Sequence, residues 1–194
     1  MKSIAISGSP RENVGKRDAK ELRYQGLVPA VLYGGATQTH FSVSAADLRA
    51  VIYTPVVQFI DITVDGTTTQ AIIKDAQFHP LTEQLIHIDF LQLDENKPVT
   101  IEIPVKLTGT SPGVKVGGKL VQKLRKLRVK ALPKDHLDNI EVAIDELEVG
   151  KSVRVSDVKV PNLTITNAQE DTIVSVTTSR ALRQAEQEAA SGKK

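Results

Sequence analysis

The sequence contains no cysteine among its 194 residues. Disulfide bridges, thiolate metal sites and a cysteine nucleophile are therefore excluded, and this composition fits a reducing compartment. Long apolar runs are also missing, because no stretch reaches the ~18 apolar residues that a membrane-spanning helix needs. Residues 1–10 lack the apolar run of a signal peptide. We therefore expect a cytoplasmic protein with no membrane partner.

The chain has enough apolar sequence for two small domains, since 40% of its residues are hydrophobic. Its net charge of +2 hides an uneven distribution. Residues 1–35 carry six Lys/Arg and three Asp/Glu, residues 36–96 carry two and eight, and residues 97–194 carry seventeen and twelve. Basic segments beside acidic surface favour a localised contact with a polyanion. Ordinary charge scatter in a small protein is an equally good interpretation of this feature alone.

Short runs rich in β-branched or alternating residues dominate the first half and predict β-strands. These runs are Ile4–Ser7, Ala30–Tyr33, His40–Val43, Val57–Val64, Thr69–Ala76 and Leu85–Leu91. The pair Asp65-Gly66 predicts a tight hairpin turn, because glycine tolerates the positive φ that such a turn requires. Two segments, Lys16–Gln25 and Ala45–Tyr53, predict helices, and Gly26 provides a left-handed cap for the first of them.

The polar, turn-rich stretch Leu93–Pro98 predicts a domain boundary, so we expect one domain over residues 1–96 and a second over residues 97–179. The second domain also shows a β pattern, without a convincing helix. Its predicted strands are Thr100–Leu107, Gly113–Gly118, Leu124–Leu132, Ile140–Ile144, Val153–Val160, Leu163–Thr166 and Thr172–Val176. The fold class is therefore mainly β with short helices.

The run from Leu120 to Leu127 also fits a helical template, but the alternation of Leu127, Val129 and Ala131 favours a strand. The polar, Ala-rich tail over residues 180–194 is predicted to be a frayed helix or disordered.

The segment Gly8–Arg17 is similar in composition to a phosphate-binding loop. Its two glycines, however, are too far apart for the P-loop pattern, and Arg17 stands where Ser or Thr would bind magnesium. A loop that hydrolyses nucleotides is therefore not expected.

A helix beginning at Lys16 would carry Lys16, Lys20 and Arg23 on one stripe. With Arg11 just upstream, these cations can follow a phosphate backbone. The neighbouring acidic residues Asp18 and Glu21 instead favour an ordinary solvated helix face, and this alternative stays open.

In the last strand of the first half, period-two geometry directs Ile86, Ile88 and Phe90 to the core. His87 and Asp89 then share the exposed face. Such a pair suits a catalytic dyad, part of a metal site, or two hydrogen-bonding groups aimed at a ligand.

The catalytic and metal interpretations of this pair have little support. No recognisable nucleophile accompanies it, and only His79 is available as a third metal ligand. A carboxylate can also face RNA, because the guanine amino group and the ribose 2′-hydroxyl are donors in the shallow minor groove. Asp89 can accept a hydrogen bond from either donor.

A set of motifs spans nearly the whole chain, and its order and spacing are specific. The motifs are Arg11, Gly15-Lys16, Leu22-Arg23, Gly26, Pro29-Ala-Val-Leu-Tyr-Gly34, Gln77-Phe-His-Pro80, His87-Ile-Asp-Phe90 and, in the second half, Gly109-Thr-Ser-Pro-Gly-Val-Lys-Val-Gly-Gly118. This set closely resembles the bacterial large-subunit ribosomal protein bL25 family, in its longer general stress protein (Ctc) form with a C-terminal domain.

The resemblance implies a six-stranded N-terminal β-barrel that binds 5S ribosomal RNA at an internal loop with non-standard pairs, and an unrelated second β-rich domain. It places a set of side chains at or near the RNA: Arg11, Lys16, Lys20, Arg23, Tyr33, Gln77, His79, His87 and Asp89. The chain departs from the short, single-domain members at Arg17, Asp18 and Glu21, where small or basic residues are usual.

The expected function is that of a structural protein of the large ribosomal subunit in the cytoplasm, without a cofactor. The second domain would contact a further RNA segment or neighbouring ribosomal proteins, or its basic run would only aid solubility. A stress-associated RNA-binding protein that acts mainly off the ribosome is the alternative. A hydrolase that uses His79, His87 and Asp89 is the alternative from another class.

Overall fold

A computed structural model describes residues 3–35 and 37–178 of the chain. The described residues form two compact units. The first comprises the residues up to Val99 together with Leu132–Lys134, and the second comprises Thr100–Ala131 and the residues from Asp135 onward. The prediction for the tail, residues 180–194, lies outside the described residues.

The first unit is built from six strands and two helices. They are β1 (Ser3–Pro10), α1 (Lys16–Tyr24), β2 (Leu27–Tyr33), β3 (Thr39–Ser44), α2 (Ala45–Ile52), β4 (Phe59–Val64), β5 (Thr67–Phe78) and β6 (Leu85–Gln92). The strands close into a barrel in the order β1-β3-β2-β6-β5-β4. The β1–β4 and β2–β6 pairs are parallel, and the other pairs are antiparallel. The prediction of a six-stranded barrel is thus confirmed.

Local sequence signals explain several connections between the elements of this barrel. Asp65 and Gly66, with φ values of 51° and 76°, form the tight turn between β4 and β5. Gly26 has a φ of 78° just after α1, as the capping pattern predicted. Helix α2 begins after Ser44, whose side chain accepts a hydrogen bond of 3.3 Å from the Ala46 N–H.

The barrel is filled by inward side chains of all six strands together with Leu48 and Val51 of α2. Two aromatic rings, Phe41 of β3 and Phe90 of β6, are fully buried and stack with their centroids 5.8 Å apart. Such offset rings add to the stabilisation that comes from burying their area. They hold β6 firmly against the core, and this fixes the position of the strand's outer face.

The second unit is also β-rich, as predicted. Its elements are β7 (Val99–Thr108), α3 (Pro112–Lys115), β8 (Lys119–Gln122), β9 (Lys126–Ala131), β10 (Ile140–Ala143), β11 (Ser152–Arg154), β12 (Thr164–Ile165) and β13 (Thr172–Thr177), with a 3₁₀ turn at Val155–Asp157. A further 3₁₀ turn covers Pro133–Asp135, and its first two residues, like Val99, belong to the first unit. One sheet has the order β10-β7-β9-β12 and the other the order β11-β13-β8. None of the described helices is long and apolar enough to span a membrane.

Two predicted strands of this unit are wrong. The segment Gly113–Gly118 begins inside the short helix α3 and does not form a strand, because Pro112 at the first helical position presets the helical φ. Of Val153–Val160, only the first two residues lie in β11. A 3₁₀ turn follows, held by the Asp157 carboxylate, which accepts a hydrogen bond of 2.8 Å from the Arg154 N–H. The choice of a strand near Leu127 is confirmed by β9, whereas β8 was not predicted.

Candidate nucleic-acid interface

Strand β6 positions the central pair of the candidate site. Ile88 and Phe90 are fully buried, whereas the side chains of His87 and Asp89 are 30% and 28% exposed. The alternation predicted from the sequence therefore holds at these four positions. It fails at Ile86, which is only half-buried, because the pairing of β5 with β6 is irregular next to Gln77.

His87 and Asp89 contact each other directly on this outer face. The distance from His87 Nδ1 to Asp89 Oδ1 is 2.7 Å, so the imidazole donates its Nδ1 proton to the carboxylate. This hydrogen bond orients the ring and leaves His87 Nε2 and the second carboxylate oxygen for other partners. The pair thus offers a carboxylate oxygen and an imidazole nitrogen side by side in fixed orientations.

The neighbouring strands add polar side chains to the same surface. In the β5–β6 register, Gln77 lies opposite His87 and Asp75 lies opposite Asp89. Two carboxylates at directly opposed positions make this part of the surface electronegative, and they repel each other. A donor that binds between them would relieve the repulsion.

The negative charges of this surface affect the pKa of Tyr33, which lies at the end of β2. Burial, followed by the negative charges of Asp89 and Asp75, raises the pKa of Tyr33 above its usual value. A tyrosine phenol is protonated at neutral pH, and this shift acts in the same direction, so Tyr33 can donate a hydrogen bond as well as accept one.

Helix α1 carries the cations of the site and packs against β2. Lys16, Lys20 and Arg23 are all exposed, and no residue of α1 is buried. Arg23 Nε donates a hydrogen bond of 3.0 Å to the main-chain oxygen of Ile86, next to His87. This bond ties the basic helix to the strand that carries the polar pair. Lys20 Nζ lies 5.8 Å from the centre of the Tyr24 ring.

Arg11 has a different environment from the other cations. Its Nη2 lies 2.5 Å from Asp18 Oδ2, and its side chain is only 9% exposed. Nη2 also donates a hydrogen bond of 3.2 Å to the main-chain oxygen of Asn13. Asp18, one of the departures from the short family members, therefore balances the charge of Arg11 and joins the β1–α1 connection to the helix. The role of Arg11 at RNA stays a prediction.

His79 lies in the turn between β5 and β6. Its Nδ1 accepts hydrogen bonds from the N–H groups of Leu81 and Thr82, at 3.3 and 3.2 Å. The imidazole therefore organises this turn, whereas His87 is paired with Asp89. Within residues 3–35 and 37–178, no three His, Asp or Glu side chains are grouped as a metal site would require.

Asp75 belongs to this surface and was not predicted from the sequence. Ile73 pairs with Phe90, and the register of β5 shifts before Asp75 pairs with Asp89. Strict alternation would place Ile73 and Asp75 on one face, but a bulge at Lys74 separates them. The sequence has no glycine or other local signal at this bulge.

Arg49 and Tyr53 were also missed. They line a cavity of about 500 Å³ together with Arg23, Phe78 and His79. This cavity lies between α2, the end of α1 and the β5–β6 turn, and so adjoins the strands that carry the polar surface.

Comparison with known proteins gives matches over both units. Residues 6–90 match the ribosomal L25p family, and residues 98–180 match the C-terminal domain of ribosomal protein TL5. The chain is 47% identical over 194 residues to the large ribosomal subunit protein bL25 of Cytophaga hutchinsonii, with all of both chains covered. It is 45% identical over 183 residues to the bL25 protein of Amoebophilus asiaticus, covering 94% of this chain and 93% of the other. The bL25 protein of Bacteroides fragilis is 41% identical over 198 residues, again with both chains fully covered.

Proposed function

This chain belongs to the ribosomal L25p family, and from that premise we propose that it binds 5S ribosomal RNA through the outer face of its barrel as a component of the large ribosomal subunit. The family is one of ribosomal proteins of the cytoplasm and not of enzymes, so the hydrolase alternative is wrong.

The observation that carries the proposal is the 2.7 Å contact between His87 and Asp89 on a half-exposed strand face. A carboxylate held in one orientation selects donors, and an RNA minor groove presents guanine amino groups and 2′-hydroxyls as donors. Asp75 reinforces this preference, and Tyr33 and Gln77 add groups that both donate and accept. The surface is therefore suited to base edges and ribose, and poorly suited to phosphates.

The phosphates would be bound by α1. Lys16, Lys20 and Arg23 are exposed, and the Arg23–Ile86 hydrogen bond sets the helix beside β6. In this arrangement the cations fix the register of the RNA while the strand surface provides selectivity. The acidic strand face would thus contact base edges and ribose, and the basic helix would contact phosphates.

Binding to 5S ribosomal RNA should weaken as salt rises. About 4 to 6 phosphate contacts, each releasing counterions, would give a slope of log affinity against log salt of about −3 to −5. A titration of labelled 5S ribosomal RNA with the full chain at several salt concentrations measures this slope. A slope near zero would contradict the assignment of α1 to the phosphates.

The barrel should carry the RNA affinity by itself. Because all six strands and both helices of the barrel end by Gln92, a fragment of residues 1–96 should fold and retain most of the affinity of the full chain for 5S ribosomal RNA. Circular dichroism of the fragment checks folding, and the same titration checks binding. A folded fragment that does not bind would move the site out of the barrel.

Association with the large subunit distinguishes a ribosomal role from one mainly off the ribosome. The full chain should co-sediment with large subunits at moderate salt. Its presence only in the ribosome-free fraction would favour the stress-associated alternative.

A further inference from the structure

Strand β9 of the second unit has two chemically distinct faces. Leu127 and Val129 are completely buried, whereas Lys126, Arg128 and Lys130 are exposed. Since side chains alternate along a strand, the three cations form a row with neighbours ~6.6–6.8 Å apart. The row lies within residues 115–134, which contain eight Lys/Arg and no Asp/Glu.

Carboxylates on the same sheet neutralise only part of this row. Arg128 Nε lies 3.1 Å from Glu102 Oε1 of β7. Glu141 of β10 lies opposite Lys106 of β7 in the strand register, and its Oε1 is 3.9 Å from Lys106 Nζ. Among the described residues, no carboxylate lies within ion-pair distance of Lys126 or Lys130. Positive charge on this face is therefore in excess, and it is concentrated on β9.

The composition of the second half limits what such a face can recognise. All four phenylalanines and three tyrosines of the chain lie at or before Phe90, and tryptophan is absent. Proteins that bind unpaired bases use aromatic rings as stacking platforms, and the energetic centres of protein interfaces are rich in Trp, Tyr and Arg. A face without aromatic residues, and with surplus Lys charge in a row, is suited to phosphates instead.

We propose that the exposed face of β9 binds the phosphate backbone of an RNA helix, as a second RNA contact separate from the barrel. Lys126 and Lys130 supply charge at the two ends of the row. Arg128 lies between them, and its planar guanidinium group can donate two parallel hydrogen bonds to a phosphate. On binding, Arg128 would leave Glu102 and pair with the RNA instead. Contacts of this kind carry no base information, so the site positions an RNA and does not select its sequence.

The test uses the full chain and a mixed-sequence RNA duplex as probe. The double variant Lys126→Gln/Lys130→Gln removes two charges from β9, and Lys151→Gln/Lys159→Gln removes two exposed charges elsewhere in the second unit. Since each lost phosphate contact reduces the salt slope by ~0.9, the β9 variant should lower the magnitude of the slope by about 1.5 to 2. The matched control should keep the slope of the parent chain, because Lys151 and Lys159 lie outside β9 and the row of cations on β9 is unchanged in it.

A third variant, Lys126→Arg/Lys130→Arg, keeps the charge and should bind the duplex as the parent does. All variants should unfold at the temperature of the parent chain, which separates lost binding from lost folding. Equal salt slopes for the β9 variant and its control would overturn the proposal. So would a β9 variant that binds the duplex normally but no longer co-sediments with large subunits, because that result assigns the face to a protein partner.

Discussion

Replacing Phe90 with alanine should lower the free energy of unfolding by about 3–5 kcal/mol. The ring is completely buried and stacks on Phe41, with 5.8 Å between the centroids. Its removal leaves a cavity between β3 and β6 that the closed barrel cannot easily collapse to fill. Binding to RNA should fall only to the extent that less protein is folded.

Urea unfolding measures this effect through the shift in the denaturation midpoint. Tyr24→Ala is the matched control, because this aromatic side chain is 80% exposed and its loss should change the free energy of unfolding by only ~0.5 kcal/mol. If Phe90→Ala were as stable as Tyr24→Ala, β6 would not be anchored to the core through this ring.

Replacing Asp89 with alanine should weaken RNA binding and leave the free energy of unfolding nearly unchanged, which is the reverse of the effects of Phe90→Ala. Asp89 is half-exposed and paired with His87 at 2.7 Å, and such surface pairs contribute only ~0–1 kcal/mol to folding. Loss of the carboxylate should leave one or two RNA donors unpaired, at a cost of about 1–3 kcal/mol in binding, or roughly a tenfold to hundredfold loss of affinity. Asp89→Asn should restore binding in part, because it keeps an acceptor without the charge.

The matched control for this variant is Asp61→Ala. Asp61 is also a half-buried carboxylate, but it lies on β4, two strands away from β6 in the barrel order. The affinity of Asp61→Ala for 5S ribosomal RNA should equal that of the parent chain. Equal losses in the two variants would indicate a general effect of charge and not a contact made by Asp89.

The parts of this fold that were predictable from the sequence are those set by local signals. The alternation along β6 separated His87 and Asp89 from Ile88 and Phe90, because period two is intrinsic to a strand. The Asp65-Gly66 turn and the Gly26 cap were predictable because both depend on positive φ, which few residues tolerate. The closed barrel itself was inferred from the family resemblance and not from these signals.

The parts that were missed depend on contacts distant in sequence or on local irregularities. The bulge before Asp75 reverses the face of β5 without a sequence signal. The pairing of Arg11 with Asp18 depends on how α1 lies against the end of β1, which charge spacing alone does not determine. Helix α3 has a local signal in Pro112, but the valines at alternate positions after it favoured a strand.

We propose that the barrel surface around His87 and Asp89 recognises 5S ribosomal RNA. The most direct test is a competition titration of the full chain with 5S ribosomal RNA and an unrelated structured RNA of equal length, at one moderate salt concentration. We expect 5S ribosomal RNA to bind at least ~10³-fold more tightly, the lower end of the range for specific nucleic-acid complexes. We expect Asp89→Ala to reduce that ratio without changing the affinity for the unrelated RNA. Equal affinities of the parent chain for the two RNAs would contradict specific recognition of 5S ribosomal RNA by this surface.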